Sequence, residues 1–389
     1  MKKRIFIVVL TLMLLITGLT LTASAAVASG TCGPNLTWVL DSDGVLTISG
    51  TGPMTDYDYS GAPWNGHKES ITTVVISNGV TSIGSSAFWE CVNLTLAPIP
   101  DSVTSIGGWA FYHCENLTSI VLPESVASIG NSSFAFCYSV ERLEINSNFT
   151  GNHNSFHECS SLTTLHLGSG VTTFYENFLA NLYALKKVTV DSGNSTYSEK
   201  DGLLLSKDGR TLLYCPVTRS GSLTVPDGVK IIGEMAFFDC RKLTSVILPE
   251  GLTTIGKEAF LHCKKLAKVD LPDSLTAIGE YAFYGCAKLA SMELSLTVTA
   301  LRDFAFIDSG LTDLYYEGTT AQWKQLLTTG REQLSSGVTV HCNDPEPMAP
   351  TPLPEKPPST NNSGKLKSVG THSKMLQIVD PIPVAFSGD

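Results

Sequence analysis

Seven cysteines recur along this chain at a nearly constant interval. Cys91, Cys114 and Cys137 stand 23 residues apart, Cys159 follows after 22, and Cys240, Cys263 and Cys286 resume the 23-residue spacing. One phrase surrounds each of them: "VTSIGGWAFYHCENLTSIVLPES" at 103–125 returns as "LTTIGKEAFLHCKKLAKVDLPDS" at 252–274. A unit this short cannot bury its apolar face alone. Copies must stack, each coil laid on the last around one continuous core. A solenoid is the architecture that follows.

Within a coil the pattern L-x-x-I-x-L, as in Leu117, Ile120 and Leu122, predicts a short strand with these side chains inward. Pro123 ends it, because proline has no N–H to continue a ladder. The V-x-x-I-G segment should turn the chain. The A-F-x-x-C segment, as in Ala110, Phe111 and Cys114, has helical spacing and should pack its Phe and Cys inward. Repeats of this kind from about 71 to 316 predict an α/β leucine-rich repeat solenoid with one parallel sheet. Seven cysteines at one register, with Leu182 taking that register in a coil that lacks the cysteine, read as buried apolar thiols rather than disulfides. Cys32, Cys215 and Cys342 lie outside the register and are left open.

The flanks differ from the repeats. Lys2, Lys3 and Arg4 precede an apolar run that ends near Ala23-Ser24-Ala25, so residues 1–25 read as an export signal. Thr17, Gly18 and Thr20 weaken the run as a permanent membrane anchor. In 30–70, apolar and polar residues alternate on both sides of Asp43-Gly44, which predicts a hairpin covering the first coil. Asp41, Asp43 and Asp56 lack the spacing of a calcium loop and read as turn residues. At 191–220 the register breaks, and Lys207-Asp208-Gly209-Arg210 between apolar runs reads as a hairpin inserted into one coil. A short helix carrying Trp323, Leu326 and Leu327, then "GVTVHC", predicts a closing helix and strand over 317–343. Residues 344–389 begin with seven prolines between Pro345 and Pro358 and read as an extended linker and tail.

Charge and motifs exclude several functions. The net charge is −10, and loss of the three basic residues of the leader makes it −13. Such a balance repels phosphate backbones and anionic membranes, so nucleic acid is excluded as a partner. No further stretch reaches transmembrane length. The sequence has no G-x-S-x-G, H-E-x-x-H, phosphate loop or C-x-x-C, so neither an enzyme nor a cofactor is expected. His113 and His262 are expected beside Glu90 and Asp239 of neighbouring coils, as surface pairs rather than metal sites.

The "IG..AF..C" phrase, the "CGPNLTWVLDSDGVLTISGTGPM" opening and the "LYYEGTTAQW" close resemble the BspA-like branch of bacterial leucine-rich repeat proteins over about 30–343. That resemblance implies a secreted or cell-surface protein, with adhesins among its members. An LPxTG sorting motif is absent from this sequence. The residues that alternate with the inward ones form two outward columns on the strand face. From these columns Leu96, Ser119, Val121, Arg142, Glu144, His166, Lys187, Ile247, Lys268, Asp270, Glu293 and Tyr315 are the candidate binding residues. The expectation is a non-catalytic binding protein outside the cell. Its partner would be an extracellular protein such as a host matrix or cell-surface protein, with a glycan as the lesser choice. The alternative is a structural spacer or carrier.

Overall fold

The computed structural model describes residues 24–150, 154–173, 178–179, 182–327 and 332–345. The chain divides into Met1–Pro345 and Glu346–Asp389, and every described residue belongs to the first unit. Of the expected export signal at 1–25, residues 1–23 lie outside the described residues, as does the tail after Pro345.

Apart from the coil at Leu94–Pro100, the described coils carry the expected strand. Ser119–Leu122, Arg142–Ser147, Thr164–Gly170 and Lys187–Val190 pair in parallel, with Ile120, Leu143, Leu165 and Val188 in one inward row. The same arrangement recurs in Gly221–Thr224, Leu243–Ile247 and Lys268–Asp270, and again in Ser291–Leu294, Asp313–Tyr316 and Thr339–Cys342. One expectation is corrected. The V-x-x-I-G segment does not merely turn: it forms a second parallel ladder of short strands, such as Ser105–Ile106 on Ser128–Ile129. Ile106, Ile129, Ile255 and Ile278 point inward from it, so the core is walled on two sides.

The A-F-x-x-C segment is also not helical. Trp109 and His113 have φ of 55°, and their counterparts Glu258 and His262 have 55° and 61°. A right-handed helix needs negative φ throughout. Instead, alternate N–H groups leave the coil: those of Trp109, Phe111 and His113 donate to Asn131, Ser133 and Ala135 of the next coil at 2.9, 2.7 and 3.0 Å. Between them, Tyr112 and Cys114 close turns onto Trp109 and Phe111. Bonds between coils take the place of bonds along a helix.

Side chains repeat the stacking. Phe88, Phe111 and Phe134 are fully buried, and successive ring centroids lie 5.0 Å apart. Phe237, Phe260, Phe283 and Phe306 form a second stack at 4.7–5.3 Å. Threonines stitch the outside: the Thr95, Thr104 and Thr276 hydroxyls donate to the carbonyls of Thr72, Thr81 and Thr253 at 3.0, 3.1 and 3.0 Å. All seven ladder cysteines are buried and unbridged.

At the N-terminal end, Ala26–Gly33, Leu36–Asp41 and Val45–Gly50 form an antiparallel sheet whose last strand pairs with Thr73–Ile76 of the first coil. The carboxylate of Asp41 accepts from the N–H groups of Asp43 and Val45, which is turn chemistry. The insertion holds two hairpins where the sequence suggested one. Tyr197–Lys200, Leu203–Ser206 and Thr211–Tyr214 are antiparallel, and the last joins the short-strand ladder through Ile231–Ile232. The core divides at this point, one buried cluster ending with Leu204 and Tyr214 and the other beginning with Leu203 and Leu205. At the C-terminal end, Thr320–Leu327 is a helix that buries Trp323 and Leu326.

Candidate functional site

One coil departs from the strand pattern. Where others read "LTSIVLP", this one reads "LTLAPIP" from Leu94 to Pro100. Pro98, which stands where Val121 does in the next coil, has no N–H to donate, and the long-strand ladder is interrupted there, leaving a single bridge between Thr73 and Leu96. Ala97 stands in the inward row that Ile120 and Leu143 fill, so the coil is also underfilled. Together these substitutions produce a hollow of about 760 Å³ on the outward strand face.

The hollow joins four of the twelve candidate residues: Leu96, Ser119, Val121 and Glu144. Its floor is apolar, with Pro98 and Ile99 beside Leu96 and Val121, which are 46% and 44% exposed. Its rim is acidic. Asp101 and Glu124 are exposed and make no ion pair among the described residues, whereas Glu144 accepts from Arg142 at 2.8 Å. Burial pushes the Glu144 acid up, but hydrogen bonds from Arg142 and Asn146 and the nearby His166 outweigh it and hold the carboxyl below its ordinary value. His166 Nδ1 lies 2.9 Å from the Thr189 hydroxyl, and Lys187 stands beside Thr164 in the adjoining column.

The remaining candidates lie elsewhere, which corrects the idea of one continuous strip. The long-strand ladder is broken between Lys187–Val190 and Gly221–Thr224, and again between Lys268–Asp270 and Ser291–Leu294. Ile247, 51% exposed, sits between Thr224 and Asp270, and Lys268 pairs with Asp270 at 3.0 Å. Glu293 and Tyr315 line a smaller hollow with His341, whose ring stacks on Tyr315 at 4.5 Å and whose Nε2 meets Asp313 at 2.8 Å. The candidates therefore fall into three patches. The first was also read too narrowly: exposed Val39 and Val75 lie in the same outward column, opposite Thr47. Alternation between Trp38 and Leu40, and between Val74 and Ile76, was the signal that marked them.

The histidine pairings differ from expectation. His113 meets Glu115 at 3.1 Å while Glu90 binds Lys68 at 2.7 Å, and Asp239 binds Arg241 at 2.6 Å. Among the described residues, no group of three or more His, Cys, Asp and Glu side chains is placed to hold a metal. No described helix is long and apolar enough to cross a membrane.

A second feature, on the turn edge, was missed because the x positions of A-F-x-x-C looked variable. Trp89 stacks on Tyr112 at 4.3 Å, Tyr59 meets Trp89 at 4.7 Å, and His113 stacks on Phe136 at 4.7 Å. These rings spend their faces on one another. They act as an external seam between coils and leave the strand-face hollow as the candidate site.

Comparison with known proteins agrees with this architecture. No curated protein matches the chain. Among solved structures, it resembles a leucine-rich repeat protein from Eubacterium ventriosum at 26% identity and a TM-score of 0.51, covering 75% of this chain and 79% of that one. It also shares its fold with the pneumococcal vaccine antigen PcpA, at 18% identity and a TM-score of 0.50, covering 82% of this chain and all of that one. The signature described as a BspA type leucine-rich repeat region matches residues 66–186 and 214–327 in 6 copies. With more than half of its length so matched, this chain belongs to the BspA-type leucine-rich repeat family.

Proposed function

We propose that this protein is exported by its leader and acts outside the cell as a non-catalytic module that binds another protein. The observation that carries the reading is the strand-face hollow, where an apolar floor of Leu96, Pro98, Ile99 and Val121 meets the unpaired carboxylates of Asp101 and Glu124. A spacer has no need of exposed apolar side chains gathered around a dent. A protein segment offering aliphatic and basic side chains is the complement of this surface: the first would displace water from the floor, the second would meet the rim. The leader of Lys2, Lys3 and Arg4 followed by an apolar run supports an extracellular partner, such as a matrix or cell-surface protein.

The test uses the purified mature chain against a panel of extracellular matrix proteins and glycans, with binding read by interferometry. For a protein that binds, Leu96→Lys with Val121→Lys lowers affinity at least about tenfold, because a lysine in the apolar contact must be desolvated. Ile247→Lys, on a separate patch, leaves affinity within about twofold, and outward substitutions shift stability by only about 0.5 kcal/mol each. Full affinity in the double variant would assign binding to the insertion or tail and make the coils a spacer.

A further inference from the structure

Cys215 stands outside the 23-residue ladder, yet it is fully buried one coil before Cys240. Its backbone shows what place it holds. The Cys215 N–H donates to the Ala236 carbonyl at 2.7 Å, as the Phe237 N–H donates to Ala259 and the Phe260 N–H to Ala282, each at 2.8 Å. Cys215 therefore fills the phenylalanine position of its coil, and a thiol replaces the ring that would stack on Phe237.

The consequence falls on Cys240. In regular coils the ladder thiol donates to the phenylalanine carbonyl of the coil before, as Cys263 does to Phe237 at 3.1 Å and Cys286 to Phe260 at 3.2 Å. The Cys240 sulfur has instead the carbonyls of Cys215 and Pro216, at 3.7 and 4.0 Å. The Cys215 sulfur lies 3.8 Å from the same Pro216 oxygen, so the two thiols converge on one acceptor. Contact with the Cys215 thiol is also the largest influence holding Cys240 protonated, ahead of burial. Cys114, Cys137, Cys159, Cys263 and Cys286 each donate to a single carbonyl of the coil before, whereas Cys215 and Cys240, free thiols in this structure, share one.

We propose that Cys215 and Cys240 join as a disulfide that clasps the insertion to the coils that follow it. The location gives the bond a purpose. Just after the break in the long-strand ladder and the division of the core, the coil of Cys215 meets the next through the Thr211–Ile231 and Leu212–Ile232 pairs, the Cys215 N–H on the Ala236 carbonyl, and the Gly221–Thr224 and Leu243–Ile247 strands. A covalent link three residues beyond Leu212 would tie the last strand of the insertion to the coil that follows, within the second buried cluster. In the reaction the two thiols give up two electrons and two protons to a small-molecule or protein disulfide. That oxidant leaves as two thiols as the Sγ–Sγ bond forms. Because both side chains are buried in the finished fold, exchange takes place while this coil is still open. The occurrence of the bond in the cell rests on the proposed export, since reducing compartments keep thiols free.

Refolding the mature chain in a mixture of oxidised and reduced glutathione, then mapping peptides without reduction, tests the pair directly. The expected product is one linked peptide pair, Cys215 to Cys240, two hydrogens lighter than the separate thiols. Its melting midpoint should lie about 5 °C above that of the reduced protein. The absence of a bridge, or a bridge from Cys240 to Cys263, would overturn the proposal. In Cys215→Ser the oxidised and reduced proteins should melt together, and a gain that survives the substitution would place the clasp elsewhere. A bridge formed in vitro by a protein never found outside its cell would sink the export reading and leave the pair standing.

Discussion

A ladder cysteine does two things that its sequence position alone does not reveal. It fills a small apolar site, as Leu182 does in the coil without one, and its thiol adds a second hydrogen bond to a carbonyl that already closes a turn in the coil before. Cys114 donates to Phe88 at 3.3 Å and Cys137 to Phe111 at 3.2 Å. Burial has a further effect on these groups. It pushes the Cys91, Cys159 and Cys286 thiols from 9.0 up to about 12. In the unfolded chain the same thiols ionise near 9, so above that pH the unfolded state sheds protons that the folded state keeps. Their contribution to stability is complete below pH 9 and is lost as pH rises towards 12, by up to about 1.4 kcal/mol per pH unit for each thiol. Denaturation midpoints measured from pH 8 to 11 should therefore fall above 9, less steeply in Cys91→Ala than in the parent. An unchanged slope in that variant would show that other groups govern the alkaline loss. Burial of the seven cysteines was legible from their register and from Leu182; their carbonyl partners were not, because the acceptor belongs to another coil.

At the scale of the element, the A-F-x-x-C segment shows how periodicity can mislead. Apolar spacing of three says which side chains point inward and nothing about the sign of φ. Non-glycine residues at Ser86, Trp109, Ser132 and Glu258 adopt φ between 51° and 55°, a region that disfavours side chains with a Cβ. The cost is offset by the N–H groups that reach the next coil, such as Trp109 to Asn131. Ser132, whose side chain is only partly buried, isolates the backbone effect. Ser132→Gly should be at least as stable as the parent, while Ser132→Val should lose about 1–2 kcal/mol, since a branched Cβ is least tolerated at positive φ. Urea titration of the two variants decides it. Equal stability of the glycine and valine forms would show that no strain resides at this turn.

At the scale of the molecule, the insertion separates two blocks of coils. Phe88 to Phe156 stack on one side of it and Phe237 to Phe306 on the other, with separate buried clusters. Coils stabilise their nearest neighbours, so a gap in the stack weakens the coupling between blocks. Native-state hydrogen exchange on the reduced protein should find two protection levels, one for about 71–190 and one for about 231–316. Phe111→Ala should lower the first by about 3–5 kcal/mol and the second by much less. A single protection level that falls uniformly in this variant would mean that the seam transmits stability as well as any other coil contact.

What the sequence determined by itself was the repeat. Its period, its inward leucines and isoleucines, the proline that closes strands such as the one before Pro123 and the register break at 191 are all local patterns. A solenoid is built from local patterns, because each coil touches only the next. Even the outward columns could be written down residue by residue, and strand registers such as Ser119–Arg142 and Val121–Glu144 match them. Only the tertiary structure decided where those columns stop being continuous. The hollow at Leu96 exists because Pro98 withholds an N–H group from a ladder whose other partners are 23 residues away in the chain. The convergence of Cys215 with Cys240 has the same origin. Contacts between coils depend on which groups a neighbour leaves unpaired, and that information is held by two coils together and by neither alone.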